Sequence, residues 1–428
     1  MIYLVGTGMG NRAGLSLEGA LALEISCLLI GSKRLAKEAG EKYPDKKIYQ
    51  SSYEPCKIME LIDKKCDINN TDVSILFSGD TGFYSGAARM AEYLYEKNIV
   101  FSIIPAISTY QYLSARIGKS YEDWILLSGH GRDINVRREL MKGRPLFLLT
   151  SGYEGLLGIL EELSATDIEG IRLTVAKDLS YKDERIIFGC LEEIKEKLSG
   201  IDKNGPGLYA LLIEGEASVA CLSGAIPDED FIRDEAPLTK QPVRSLILSA
   251  LRIGKEDICL DIGGGSGGVT LDMAMHAGSV YSIELLEERA ELIRSNIKKF
   301  KAYNTSLIRG DARLILEDKE RELLKEEEPG KNPLPGELTK IFIGGSNGQL
   351  SELISLCLRL YPKAELCFTA IVLESLFEGI EALKAVGADF DILKLSASRS
   401  FESKSGHMMK AENDIYIVST KEKVWKKD

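Results

Sequence analysis

The stretch ICLDIGGGSGGVT, Ile258–Thr270, constrains this chain more than any other. An apolar run ends on Asp261, glycines crowd Gly263–Gly268, and a helical pattern takes over across Val269–Ala277. That order predicts a strand, a tight turn and a helix start, the geometry of a nucleotide-type site in a parallel α/β sheet. Gly263, Gly265 and Gly268 satisfy the GxGxxG spacing of a dinucleotide fingerprint. Asp261 argues against a pyrophosphate. Two like charges ~4 Å apart repel by ~4 kcal/mol at an effective dielectric of ~20. A ligand that carries an ammonium and a sulfonium is attracted instead.

The next two strands supply further acids. Ser279–Ile283 runs into Glu284, placed to accept hydrogen bonds from two ribose hydroxyls, and Thr305–Arg309 runs into Gly310-Asp311-Ala312, where Asp311 can take an adenine amino group. This succession resembles the class I methyltransferases, whose methyl donor is S-adenosylmethionine. A nicotinamide-dependent oxidoreductase built on Gly263–Gly268 is the rival reading, and Asp261 disfavours it. A non-catalytic adenosylmethionine-binding protein is a third; it would need neither basic clusters nor a second glycine-lined cleft.

The chain's 428 residues imply two or three domains. A net charge of −11 disfavours generic attraction to nucleic acid or an anionic membrane, so an anionic substrate must be met by local cations. The eight cysteines never fall at CxxC spacing and only three histidines are present, so no metal site in the protein is expected. Most cysteines sit in apolar runs and read as buried free thiols of a reducing compartment. The first residues open directly into a strand, and no apolar run reaches membrane-spanning length, so a cytoplasmic protein is expected.

Before the glycine stretch, strand-like runs at Ile2–Val5, Cys27–Ile30, Val73–Phe77 and Val100–Ile104 alternate with amphipathic helical patterns, which predicts a mostly parallel sheet. From Trp124 to Ile213 the pattern is richer in strands and reads as a second subdomain. The segment 214–225 is a polar, small-residue linker, which places one domain at 1–213 and another at 226–428. The charged stretch 317–338 reads as a solvated surface excursion. Three small-residue loops, GTGMG (Gly6–Gly10), SGDTGFYSG (Ser78–Gly86) and PAIST (Pro105–Thr109), follow strands at one sheet edge and predict a cleft there.

Those three loops, with PAISTYQYLSARIG and SGHGRD, resemble the tetrapyrrole methylase family. The resemblance implies an N-terminal methylase fold of two α/β subdomains with the donor between them, lined by Gly79, Asp80, Phe83, Ser108 and Thr109. LTKQPVR, DIGGGSGG, GDA, FIGGS and GHMMKAEN make the remainder similar to class I corrin methyltransferases of Rossmann-like fold. There Thr239 and Gly263, Gly264, Gly265, Ser266 and Gly267 would touch the donor, with Glu284 on the ribose and Ala312 near the adenine. The implied activity is methylation of a reduced tetrapyrrole, precorrin-6B with or without cobalt, at carbons 5 and 15, with decarboxylation of the ring C acetate. One S-adenosylmethionine per domain and a homo-oligomer are implied as well.

Carboxylate arms on such a substrate need cations. Ser128–Pro145 offers Arg132, Arg137, Arg138, Lys142 and Arg144, and Leu393–Lys410 offers Lys394, Arg399, Lys404 and Lys410. Arg244 is a candidate to hold the acetate. His130 and His407, each in a glycine-flanked loop, are candidates for proton transfer along with the loop carboxylate Asp80, and His276 reads as structural.

Overall fold

The structure is a computed structural model, described for all residues except 10–13, 68–69, 130–133, 165–169, 200–206, 216–223, 234–237, 325–331, 404–405 and 422–428. Two compact units divide the chain. The first comprises Met1–Ile134, Arg144–Glu161 and Ile171–Gly215, and the second Asn135–Gly143, Glu162–Gly170 and Glu216–Asp428. Among the described residues no helix is long and apolar enough to cross a membrane.

The first unit holds two sheets. Strands β1 (Ile2–Gly6), β2 (Leu28–Gly31), β3 (Lys47–Gln50), β4 (Val73–Phe77) and β5 (Phe101–Ile104) form one, in the order β3-β2-β4-β1-β5 with every pair parallel. All five residues of β4 are buried, as a central parallel strand covered on both faces requires. β3 went unread because its four residues are partly exposed and form no apolar run. The other sheet contains β6 (Ile125–Ser128), β7 (Leu146–Leu149), β8 (Arg172–Lys177), β9 (Arg185–Gly189) and β10 (Tyr209–Glu214), ordered β6-β7-β10-β8-β9 and parallel only at β6–β7.

The second unit is a seven-stranded sheet. Its strands are β11 (Ile258–Ile262), β12 (Ser279–Glu284), β13 (Thr305–Arg309), β14 (Lys340–Ile343), β15 (Glu365–Ala370), β16 (Phe390–Leu395) and β19 (Ile415–Thr420). The order is β13-β12-β11-β14-β15-β19-β16, with β19 antiparallel to both neighbours. A hairpin of β17 (Ser398–Ser403) and β18 (Gly406–Ala411) is inserted between β16 and β19. Side chains alternate across the sheet as strands dictate. Leu260, Ile341 and Ile343 pack with helix Leu350–Leu360 on one face, while Cys259, Phe342 and Cys367 pack with helices Gln241–Leu251 and Gly268–His276 on the other.

Arg244, expected to hold a substrate acetate, has a different task. Its side chain is fully buried and every nitrogen is used. Nε donates to Asp272 Oδ2 at 2.6 Å, Nη1 to Asp228 Oδ1 at 2.7 Å and to the Thr239 carbonyl at 2.5 Å, and Nη2 to the Ile226 carbonyl. The guanidinium also lies over the Phe231 ring. It therefore fastens the lead-in segment and helix Gln241–Leu251 to helix Gly268–His276, and it is buried away from the cavity lining.

Two further expectations change. The stretch 317–338 is not wholly a solvated excursion. Helix Ala312–Leu323 runs into it, Lys319 is buried and paired with Glu322, and Leu334 and Leu338 enter the core. Nor are most cysteines buried. Cys259, Cys357 and Cys367 are, but Cys27, Cys56 and Cys190 are exposed, Cys66 is half-buried, and Cys221 lies outside the described residues. Burial pushes the Cys357 thiol up to about 12, which keeps it inert.

Replacing Arg244 by Met should destabilise the second unit by ~3–5 kcal/mol, because Asp272 stays buried without its cation. Urea unfolding followed by circular dichroism checks this. Unchanged unfolding would overturn this structural role.

Candidate functional site

In the first unit the loops after β1, β4 and β5 meet at the carboxyl edge of the parallel sheet. Gly8 and Gly79 exchange backbone hydrogen bonds of 3.1 and 2.9 Å, and Gly79 holds a φ of +69° that favours glycine. A Cβ on Gly6 would lie 2.9 Å from the Gly79 carbonyl, so these backbones touch. Asp80 braces the neighbouring turn. Its Oδ2 accepts the Gly82 N–H at 3.0 Å and its Oδ1 the Ala106 N–H at 3.3 Å, tying the β4 loop to the β5 loop.

Ser108 is buried where helix Thr109–Ile117 begins, and its N–H donates to Gln111 Oε1. Thr109 Oγ1 donates to Met9 Sδ at 3.2 Å, and Ser180 Oγ, from the loop after β8, donates to the Met9 carbonyl at 2.6 Å. Phe83 meets Tyr110 edge-on at 4.9 Å and joins Phe147 of β7 in an aromatic cluster with Trp124. Gly79, Asp80, Phe83, Ser108 and Thr109 are thus gathered at one sheet edge. Asp80 acts there as a brace between loops, with both oxygens engaged. His130 and Arg132 lie outside the described residues.

In the second unit the sheet order reverses between β11 and β14, and a cavity of about 1110 Å³ opens at the carboxyl ends of these strands. Thr239, Asp261, Gly263, Gly264, Gly265, Ser266, Glu284, Asp311 and Ala312 all line it. Gly263 and Gly265 have φ of +77° and +60°. A Cβ on Gly263 would sit 2.7 Å from the Gly345 backbone, whereas one on Gly265 would meet almost nothing. Gly267 lies beneath the turn, in the left-handed conformation that caps helix Gly268–His276, rather than on the cavity wall.

Glu284 is almost fully buried and holds the turn. Its Oε2 accepts the Gly265 N–H at 2.8 Å and its Oε1 the Leu286 N–H at 3.0 Å, so each oxygen keeps a lone pair. Asp261 is 1% exposed; Thr270 Oγ1 donates to its Oδ2 at 2.5 Å, and its Oδ1 has no partner. Burial pushes the Asp261 carboxyl up to about 7, the Thr270 hydrogen bond opposes this, and the charge of Glu284 adds to it. An orphaned buried oxygen and a second carboxylate on a glycine turn fit an organic cation with hydroxyls to spare, and reject a pyrophosphate. Asp311 Oδ1 caps helix Ala312–Leu323 by accepting from the Arg313 and Leu314 N–H groups, which leaves Oδ2 for an amino group.

His407 does not join this site. It lies on β18 opposite Glu402, exposed, and not in a loop beside the cavity. The basic clusters are mostly spent on protein contacts. Lys142 pairs with Glu139, Arg144 donates to the Asp123 carbonyl, Lys394 pairs with Asp414, and Arg399 pairs with Asp228 and Glu412. Lys240, Arg289 and the turn Gly344–Asn347 line the cavity without having been singled out as site residues. The turn had a legible signal in FIGGS and Lys240 lay within LTKQPVR; Arg289, on a helix, had none.

The strand order, the glycine turn and the strand-end acids define a Rossmann-like methyltransferase unit. Comparison with known proteins narrows the class. The family model of Tetrapyrrole (Corrin/Porphyrin) Methylases matches residues 1–195, and that of the Precorrin methyltransferase domain matches 229–419. A probable cobalt-precorrin-6B C(15)-methyltransferase (decarboxylating) of Saccharolobus solfataricus is 33% identical over 201 residues, 45% of this chain and 94% of the relative. A protein of the same description from Methanocaldococcus jannaschii is 31% identical over 194 residues, 45% of this chain and 96% of the relative. The crystal structure of a precorrin 8W decarboxylase of Methanobacterium thermoautotrophicum is 30% identical with a TM-score of 0.41, and covers 46% of this chain and 99% of that one. The chain belongs to the precorrin methyltransferase family, and it is a methyltransferase enzyme.

The raised Asp261 carboxyl carries a pH signature. Its ordinary value is 3.8 and its folded value about 7, so between these the folded state binds the extra proton. Stability relative to Asp261→Asn should therefore fall as pH rises across that window, by up to ~1.4 kcal/mol per pH unit, and level off above it. Parallel urea titrations of both proteins across that range read it directly.

Proposed function

We propose that this chain is a bifunctional enzyme of corrin-ring synthesis. A tetrapyrrole methylase domain, 1–213, methylates carbon 5 of precorrin-6B or its cobalt form. After a linker, 214–225, a class I domain, 226–428, methylates carbon 15 and removes the ring C acetate carboxyl. Each domain binds its own S-adenosylmethionine. The observation that carries this reading is the second unit's cavity, where the glycine turn, the free Asp261 oxygen and Glu284 converge at the switch point. The succession of two corrin-related family matches along one chain supports the pairing of activities.

The donor, when bound, supplies an electrophilic methyl group on a sulfonium that loses its charge on transfer. The protein's part is placement. Glu284 takes the ribose hydroxyls on its remaining lone pairs, Asp311 Oδ2 the adenine amino group, and Asp261 Oδ1 the ammonium. The Gly263–Ser266 turn lets the ligand approach the backbone closely. In the first domain Gly79, Asp80, Phe83, Ser108 and Thr109 shape the corresponding cleft. A cavity of about 1110 Å³ exceeds what one drug-sized ligand fills, so donor and part of a macrocycle fit together.

Meso carbons of a reduced tetrapyrrole are enamine-like nucleophiles and need no attacking base. Alignment of carbon, methyl and sulfur can supply ~7–11 kcal/mol of the barrier. Methylation at carbon 15 leaves the macrocycle electron-poor. The bond from the acetate methylene to its carboxylate carbon then breaks, the electron pair enters the ring, carbon dioxide leaves, and the methylene takes a proton from solvent.

Mass spectrometry of precorrin-6B and its cobalt form, incubated with the enzyme and adenosylmethionine, tests the whole reading. Gain of two methyl groups with loss of one carbon dioxide is expected; no change in either form would retire it. Glu284→Ala should weaken donor binding in the second domain by ~1.5–3 kcal/mol, about 10- to 150-fold, and spare the first. Asp80→Ala should impair methylation at carbon 5 alone, seen as a product one methyl group short that has still lost carbon dioxide.

A further inference from the structure

The cations lining the second unit's cavity differ in how they are used. Arg399 is neutralised twice, with Nη2 3.4 Å from Asp228 Oδ2 and Nε 3.0 Å from Glu412 Oε1. Lys410 stands directly opposite Arg399 across the β17–β18 pair, and so shares its face of the hairpin. Two like charges in such a cross-strand pair cost stability unless something compensates them. The two carboxylates answer for Arg399. Lys410 is exposed, lines the cavity, and makes no ion pair or hydrogen bond among the described residues.

Its position in the fold separates it from the donor. The donor-side acids, Glu284 closing β12 and Asp311 following β13, lie on one side of β11. The hairpin belongs to the opposite flank, with the segment Thr369–Val372 after β15. That flank also carries apolar surface: Ile371, Val372 and Phe401 are exposed and line the same cavity, beside the polar Thr369, Ser400 and Asn413 and the Glu412 that pairs with Arg399. A flat apolar ligand edged with carboxylates matches such a wall.

We propose that Lys410 binds a carboxylate arm that the tetrapyrrole keeps, and so sets which ring faces the methyl donor. This rests on the corrin reading of the second domain. The departing carboxylate is the wrong partner for a cation. Its charge moves into the ring as carbon dioxide leaves, so an ion pair there would stabilise the ground state more than the transition state and slow the step. An apolar surface such as Ile371–Val372 suits the departing group better, because it offers nothing that holds the charge back.

The test is Lys410→Met in the full-length chain, with Lys410→Arg beside it. The methionine variant should raise the Michaelis constant for the macrocycle at the decarboxylating step about tenfold, the loss of one charge-assisted contact. The constant for adenosylmethionine should not move, one carbon dioxide should still leave per methyl added at this step, and arginine should restore most of the loss. An unchanged macrocycle constant would overturn the proposal. So would accumulation of a product methylated at carbon 15 that keeps its acetate, since that would make Lys410 a participant in the loss of carbon dioxide and not a holder of a retained arm. A wild-type enzyme that converts no tetrapyrrole would bring down the corrin reading itself, separately from Lys410.

Discussion

The second unit depends on a contact between two backbones. Gly263, after β11, lies so close to Gly345, after β14, that a single added carbon would fall 2.7 Å from it. These strands are neighbours from which the sheet order runs in opposite directions, and their loops must part to opposite faces. Only by starting in contact can they open a cavity this close to the strand ends. Glu284 then fixes the turn from the side, and Asp261 is left beneath it with one oxygen unmatched. Burying that acid is unfavourable for its charged form, and it pushes the carboxyl up to about 7.

The first unit reaches a comparable edge by different means. Among the described residues it places no buried acid under a glycine turn. Instead Gly8 and Gly79 pair as a short bridge, Asp80 ties two loops together, and Met9 is held by Thr109 and Ser180. These contacts, made largely to backbone groups, fix the shape of the loops. The two halves therefore build their sheet edges in unrelated ways, as expected of a chain in which two family models follow one another.

What the sequence disclosed follows from local rules. The turn at Gly263–Gly268, the acid closing β12 and the alternation of buried strands each depend on residues near in the chain, and the spacing was enough to read them. Arg244 was misread because its partners Asp228 and Asp272 lie 16 and 28 positions away, and nothing local separates a buried hub from a ligand anchor. His407 was misplaced for a related reason. Glycine-flanked residues suggest a loop, but pairing with Phe401 and Glu402 makes them a strand. The charged stretch after Glu317 looked solvated because its few core residues, Leu334 and Leu338, are outnumbered by acids and lysines.

The outermost strand of the second sheet has a consequence of its own. β16 pairs only with β19 among the described residues, and it exposes Ile392 and Leu393. An open apolar strand is a template on which another chain can add. Here the two leucine-like side chains are bracketed by charge, Asp391 joined to Lys421 and Lys394 to Asp414. Any strand arriving at that margin must displace or shelter four ionised groups. The molecule's colloidal behaviour is thereby made sensitive to ionic strength, since salt that screens these pairs weakens the fence while leaving the apolar rung intact.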